Sequence, residues 1–451
     1  MERNAFDRRP AWVVVFYLIS LAVVAGTAIL LRGLHPGNLA DLSNFMGPLA
    51  EGLAHGAGYR VCGGGMAAAG NVICFQANRM PLPPFLLAGL IRVFGDHYFA
   101  VELAKIALVL APVAAAAKLA IQHLPRRADW RVQAIVPALL FFSLVLPTQM
   151  IDAINMQVEE GYSFCLLAYA LAVLLFGVGE RGIPWGRTVL FGSAVLGLYL
   201  TKSSMMAAAG FLVFAFFAQV RDWRQRTVLL LIVICGPIGW GVYTLRVTGH
   251  FSIGTSLDGV NLHKGNYAEF LDRYPPAPGS GLDRYDEGLS AGQYFSHEWT
   301  FNTYHMRAAK QYMETHTART ARAMFWKAEV FFLSLRKIGS DRYTGWLGYM
   351  TDASMLLFRL LLWSACGVAV RLVLRGPKAA RWAAIVYLGT VATVAAPYLV
   401  GFALTRHASV LSIPSALFLC WWLIYRATAA RRSDLPVSLC AVPGRAGSAG
   451  R

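Results

Sequence analysis

The sequence predicts an all-α fold: a polytopic transmembrane helical bundle of about ten spans, with a helical extracytoplasmic first loop and a long extracytoplasmic segment before the last three spans. Three observations predict it. Of 451 residues, 57% are hydrophobic and only 14% charged, with mean hydropathy +0.49, whereas soluble domains carry about 25% charged residues. The apolar runs are continuous over about 15–25 residues, as at 12–31 and 383–404, which fits helices rather than barrel strands alternating with period two. The basic residues cluster in short gaps between apolar runs. The net charge of +17 therefore reads as membrane topology, not nucleic-acid binding, because short loops rich in Lys and Arg stay in the cytoplasm.

Those clusters fix the order of elements. They are Arg126, Arg127 and Arg131; Arg181 and Arg187; Arg221, Arg224 and Arg226; Arg371, Arg375, Lys378 and Arg381; and Arg426, Arg431 and Arg432. With the basic N-terminus (Arg3, Arg8, Arg9), all belong on one side, so an even number of crossings separates successive clusters. The first span covers about 12–32 and is too long for a cleaved signal, so it reads as a retained anchor. An outer loop, 33–81, follows. The apolar stretch 82–94 is too short to cross and is expected at the interface or as a re-entrant helix. Further spans are expected near 99–122, 133–150, 161–179, 188–201, 205–220 and 227–246, the two shortest meeting near Lys202. An outer segment, 247–352, is Gly-, Pro-, Tyr- and Asp-rich over 261–287 and helical in pattern over 292–336. It is expected to cap the outer face. Spans near 353–371, 383–403 and 408–426 complete a single membrane-embedded module, 1–430. The tail, 431–451, is expected to be cytoplasmic and disordered. No internal repeat is evident.

The seven cysteines follow no metal-ligand spacing. Cys62 and Cys74 share the outer loop and are either a disulfide or two free thiols. Cys165, Cys235, Cys366 and Cys420 fall in spans as small apolar residues, and Cys440 lies in the tail. The sequence contains no Walker loop, no HExxH and no CxxC; Gly63-Gly64-Gly65 reads as a turn. The chemistry then rests on ionisable groups at the outer mouth of the bundle.

Asp41 opens a helix expected to run to about residue 53, and is either its N-cap or a reactive carboxylate. Glu159 and Glu160 close the loop 151–160. They are either an acidic helix start or, with Asp41 and Asp152 on the same side, an acid cluster suited to a divalent metal or to base-and-orienter roles. Lys202 is the one charge between Arg187 and Arg221; it either snorkels at a hairpin tip or serves function, since a lone charge deep in a span costs about 2.5–3.5 kcal/mol. Arg406, beside His407 in the tight connection between the last two spans, is either an ordinary loop charge or a phosphate grip. His263-Lys264-Gly265-Asn266 offers weaker contacts to phosphate or sugar. Cations beside a departing phosphate, with a carboxylate to deprotonate an acceptor hydroxyl, make the outline of a glycosyl-transfer site.

The order of these features resembles the integral-membrane GT-C glycosyltransferases, in particular bacterial relatives of protein mannosyltransferases and of the lipid A aminoarabinose transferase. The resemblance covers roughly residues 10–426. It is carried by Asp41 in the first outer loop, with the Gly-rich stretch from Glu51 to Tyr59 after it; by Arg79-x-Pro81-Leu82-x-Pro84 followed by Val93-Phe94-Gly95; by Thr201-Lys202-Ser203; and by Arg406 ahead of the proline-bearing run to Pro414. Leu42 stands where the family often has a second acid, and Met80 replaces the usual second proline.

The resemblance implies a polyprenyl-phosphate-linked sugar donor at the outer leaflet of a bacterial inner membrane and a glycan, lipid or protein acceptor. It implies inverting transfer with Asp41 as general base and Glu159 or Glu160 as a second acid. Lys202, Arg406 and Arg79 would be the donor-phosphate cations, and a divalent metal is used by some members only. Three other classes compete. An O-antigen ligase or polymerase would place its key residues in the long segment, at His297 or Arg307. A multi-span transporter would show inverted repeats and mid-membrane charges. A non-catalytic scaffold would need none of these residues.

Overall fold

A computed structural model describes residues 9–32, 46–62, 73–95, 97–125, 128–145, 159–177, 182–273, 295–334 and 346–433. Asp41, Asp152, Gly63-Gly64-Gly65, Cys440 and all but the first three residues of the tail lie outside them. The described chain is helical apart from one two-stranded ribbon.

In chain order, α1 (Arg9–Arg32) leads to α2 (Met46–Ala54) and to the ribbon β1 (Val61–Cys62) and β2 (Cys74–Phe75). The strands are antiparallel, Cys62 opposite Cys74, and these two cysteines are disulfide-bonded. Next come α3 (Leu82–Phe94), α4 (Tyr98–Gln122), α5 (Trp130–Val145), α6 (Glu159–Phe176), α7 (Trp185–Thr201), a 3-10 turn (Ser203–Met205), α8 (Met206–Gln219) and α9 (Trp223–Thr248). The outer segment forms α10 (Asp258–Lys264), α11 (Phe270–Arg273), α12 (Glu298–Thr315) and α13 (Thr317–Phe332). The chain closes with α14 (Trp346–Arg375), α15 (Lys378–Val400), α16 (Thr405–Ser409) and α17 (Ser412–Ser433).

Each expected span overlaps one of these helices, though the ends expected at 146–150 and 178–179 lie outside the described residues. Among the described residues, six helical runs are long and apolar enough to cross a membrane: 99–122, 159–176, 223–248, 352–375, 378–400 and 406–429, the last made of α16 and α17 together. The apolar stretch 82–94 is a helix with those same bounds, started by Pro83 and Pro84 in its first turn, where a missing N–H is harmless. Two details differ from expectation. The tight connection holding Arg406 and His407 is itself a short helix, α16. The last helix also runs to Ser433, three residues into the stretch assigned to the tail, with Arg431 and Arg432 in its final turn.

Helix α6 is the hub. Its apolar window is 89% buried, against 28% for α9 and α14, and it packs on α4, α7 and α17. Such a helix is apolar all round because it faces protein on every side. Only its first two residues are acidic, so both carboxylates stand at one end of the bundle. The other helices around it alternate in direction. Four of them reach the cavity: α7 at Lys202, α9 just before residues 252–257, α15 at residues 397–400 and α17 just after Arg406; their opposite ends carry Arg187, Arg224 and Arg226, Lys378 and Arg381, and Arg426.

Candidate active site

The carboxylates at the start of α6 organise the site. Glu160 is fully buried. Its Oε1 lies 2.6 Å from Lys202 Nζ, 3.2 Å from His407 Nε2 and 3.7 Å from Arg406 Nε. A buried charge needs such partners, since desolvating it alone is prohibitive. The His407 tautomer follows from the network: Nδ1 accepts from the Leu404 N–H at 3.0 Å, so Nε2 carries the proton and donates to Glu160. His407 also stacks on Tyr398, ring centroids 4.0 Å apart, and Lys202 Nζ sits 5.4 Å over the same Tyr398 ring. One carboxylate oxygen thus holds two cations and an imidazole from two separate stretches of chain.

The local backbone explains how Lys202 reaches it. α7 ends at Thr201, Lys202 is extended (φ −156°, ψ 128°), and the 3-10 turn restarts the chain into α8. This break points the lysine out of the helix axis toward α6. Burial pulls the Lys202 ammonium toward its neutral form, but Glu160, helped by Tyr398 and Glu159, outweighs this and holds its pKa above the usual lysine value.

Glu159 is the second anchor. Arg79 Nη1 donates to its Oε1 at 3.0 Å. Arg79 is itself positioned through its backbone: Tyr59 Oη donates to the Arg79 carbonyl at 2.9 Å. The strand-to-helix connection before it is clamped by Glu298, whose carboxylate accepts from the Gln76 and Ala77 N–H groups at 3.0 and 3.1 Å and from Ser256 Oγ at 2.6 Å.

Arg79, Glu159, Lys202 and Arg406 line one cavity of about 720 Å³, within the range of small-molecule sites. Lys264 and Asp258 line it as well. Asp258 accepts from Ser203 Oγ, Thr255 N and Thr255 Oγ1, each at 2.8 Å. Burial raises its carboxyl pKa, while those hydrogen bonds pull it back. The lining therefore carries four cationic side chains against the two carboxylates of Glu159 and Asp258, and two of the cations also contact Glu160, which is fully buried and not itself a lining residue. This electrostatic balance favours an anion.

Of the residues singled out from sequence, the structure brings together Arg79, Glu159, Glu160, Lys202 and Arg406. Asp41 lies outside the described residues, as does Asp152, so the acid cluster proposed for a metal is not described; among the described residues no group of three or more His, Cys, Asp or Glu is arranged to hold one. Of the weaker set, Lys264 lines the cavity. His263 instead pairs with His305, Nδ1 to Nδ1 at 2.8 Å, and Asn266 Nδ2 donates to the Leu262 and Val400 carbonyls, each at 2.8 Å. His297 caps α12, its Nδ1 accepting from the Trp299 N–H, and neither it nor Arg307 is among the cavity-lining residues. Sequence reasoning missed Asp258 and Glu298, which sit in a polar segment where charge is unremarkable, and gave Ser203 no role beyond its place in the Thr201-Lys202-Ser203 match.

No protein-family model matches the chain, and no curated protein sequence does. Solved structures similar to it include the archaeal oligosaccharyltransferase AglB from Archaeoglobus fulgidus in complex with an inhibitory peptide and a dolichol-phosphate, at TM-score 0.43 and 14% identity over 96% of this chain and 52% of that one. ArnT from Cupriavidus metallidurans bound to undecaprenyl phosphate is similar at TM-score 0.36 and 14% identity, over 94% of this chain and 79% of that one. This chain thus spans about half the length of the archaeal protein. Both are GT-C glycosyltransferases.

Proposed function

We propose that the cavity binds the phosphate of a polyprenyl-phosphate-linked sugar at the outer leaflet of a bacterial inner membrane, and that the chain transfers the sugar to an acceptor hydroxyl. The observation that carries this reading is the convergence of Lys202, Arg406 and Arg79 on one cavity, each ion-paired with a buried glutamate. Their charges are fixed before the ligand arrives, which is the condition for stabilising negative charge as it develops on a leaving phosphate.

The bond changes follow. The acceptor oxygen attacks the anomeric carbon from the face opposite the phosphate. The new C–O bond forms as the bond from the anomeric carbon to the phosphate oxygen breaks, and both electrons of that bond leave with the polyprenyl phosphate. The hydroxyl proton passes to Asp41, the residue that matches the family's carboxylate. Lys202 and Arg406 hold the departing phosphate, and Asp258 offers a carboxylate to a sugar or acceptor hydroxyl. The configuration inverts.

The test is transfer of label from a lipid-soluble pool of labelled polyprenyl-phosphate sugars in membranes carrying the full chain. Wild type is expected to deplete the pool; Asp41→Asn, present at wild-type levels, is expected to leave it intact. Undiminished depletion by Asp41→Asn rules out this mechanism.

A further inference from the structure

Two sets of bonds fix the depth of α13. Arg359, buried within α14, donates through Nη1 to the Phe331 carbonyl at 2.5 Å, and through Nε and Nη2 to the Ser334 carbonyl at 3.2 and 3.1 Å. Trp363 Nε1 donates to the Phe332 carbonyl at 3.1 Å. Arg359 stands about 24 Å along the helix from Arg375, inside a hydrocarbon layer of about 30 Å. The C-terminal end of α13 is thereby tied to the outer part of that layer. Its middle is tied to the outer end of α15, where Lys327 Nζ donates to the Val400 carbonyl at 3.2 Å. So α13 lies along the outer interface.

Its exposed residues suit that depth. Phe325 is 81% exposed, Leu333 52% and Met324 37%, a surface that lipid accepts and water disfavours. On one flank, Arg319, Arg322 and Trp326 follow at helical spacing. With Ala318 and Leu271 they line a cavity of about 320 Å³ that shares no lining residue with the larger one. Guanidinium groups bind phosphate oxygens through paired N–H donors, and tryptophan favours the headgroup level.

We infer that this rim cavity binds the phosphate headgroup of an anionic lipid of the outer leaflet. A lipid rather than a free anion is the occupant because apolar side chains form the remaining wall and the helix lies where acyl chains begin. The site stands apart from the Lys202–Arg406 cavity and does not depend on the reaction assigned to it.

Native mass spectrometry of the detergent-solubilised full chain tests this, with phosphatidylglycerol, phosphatidylcholine and inorganic phosphate as probes. Wild type is expected to retain phosphatidylglycerol in preference to phosphatidylcholine. The double variant Arg319→Gln/Arg322→Gln is expected to lose about thirtyfold in phosphatidylglycerol affinity, the combined effect of two basic residues at an anionic interface; Arg319→Lys/Arg322→Lys is expected to keep most of it. Should the glutamine pair not be monodisperse, each single Gln variant is expected to lose about fivefold. Arg406→Gln is expected to leave this binding unchanged, which separates the two cavities. Unaltered phosphatidylglycerol retention in the glutamine variants overturns the inference, as does displacement of the lipid by millimolar inorganic phosphate.

Discussion

Glu160 shows how single residues set the chemistry. It contacts Lys202, Arg406 and His407 through one oxygen; its removal would leave two partly exposed cations and an imidazole without their shared carboxylate partner. Lys327 is the contrasting case. It is fully buried and donates to Asn266 Oδ1 and the Val400 carbonyl, both at 3.2 Å, with no carboxylate among these partners. Burial lowers its pKa to about 7. The unfolded chain, with an ordinary lysine pKa of about 10.4, then binds more protons than the folded chain between about pH 7 and 10. Stability is therefore expected to rise with pH across that window and to gain nothing from this residue outside it. Thermal unfolding of wild type and Lys327→Met between pH 7 and 10 checks this: the slope is expected to be shallower in the variant. Equal slopes would remove Lys327 as the cause.

Residues singled out from the sequence owe their legibility to rarity. A charge such as Lys202 in a long apolar stretch is conspicuous, and Arg406 stands in a short gap between two spans. Asp258 and Glu298 sit in a polar segment where acids are common, and the Glu298 bond to Gln76 joins positions 222 apart in sequence, a pairing no local pattern encodes. Arg359 did carry a signal, as an arginine inside an apolar run; only the structure shows that it binds the end carbonyls of α13.

At the scale of elements, the outer segment acts as a clamp. α10 packs on α12, and Gly265 approaches the Gly401 carbonyl so closely that a Cβ there would overlap it. Glu298, at the start of α12, ties this layer to the stretch before Arg79 through two backbone amides and Ser256. Glu298→Gln keeps the size but removes the charge and one acceptor. It is expected to destabilise by about 1.5–3 kcal/mol, the range for hydrogen bonds to charged groups, and to raise amide hydrogen exchange over residues 76–80. Unchanged exchange there would mean that Arg79 is held without this clamp. Helix bounds were largely legible because apolar runs end abruptly at charge clusters. The fold of the cap was not, because its contacts are non-local and its composition is mixed.

The whole molecule combines two asymmetries. Basic clusters gather at one end of the alternating helices, and the cavity opens among the residues at the other. Under the positive-inside rule, the proposed function has the cavity on the extracytoplasmic side, and labelling tests it. In a Cys235→Ala background, a membrane-impermeant thiol reagent added to intact cells is expected to label His250→Cys, at the cavity end of α9, and to spare Lys378→Cys at the start of α15. The reverse pattern would invert the topology and the site with it.

The central claim is that Lys202, Arg406 and Arg79 together hold a lipid-borne phosphate. The most direct measurement is equilibrium binding of undecaprenyl phosphate to the purified full chain and to Arg406→Gln, which leaves Glu160 its bonds to Lys202 and His407. Loss of one charge-assisted contact predicts roughly ten- to hundredfold weaker binding, with thermal stability little changed. Equal affinity in the two proteins would contradict the account.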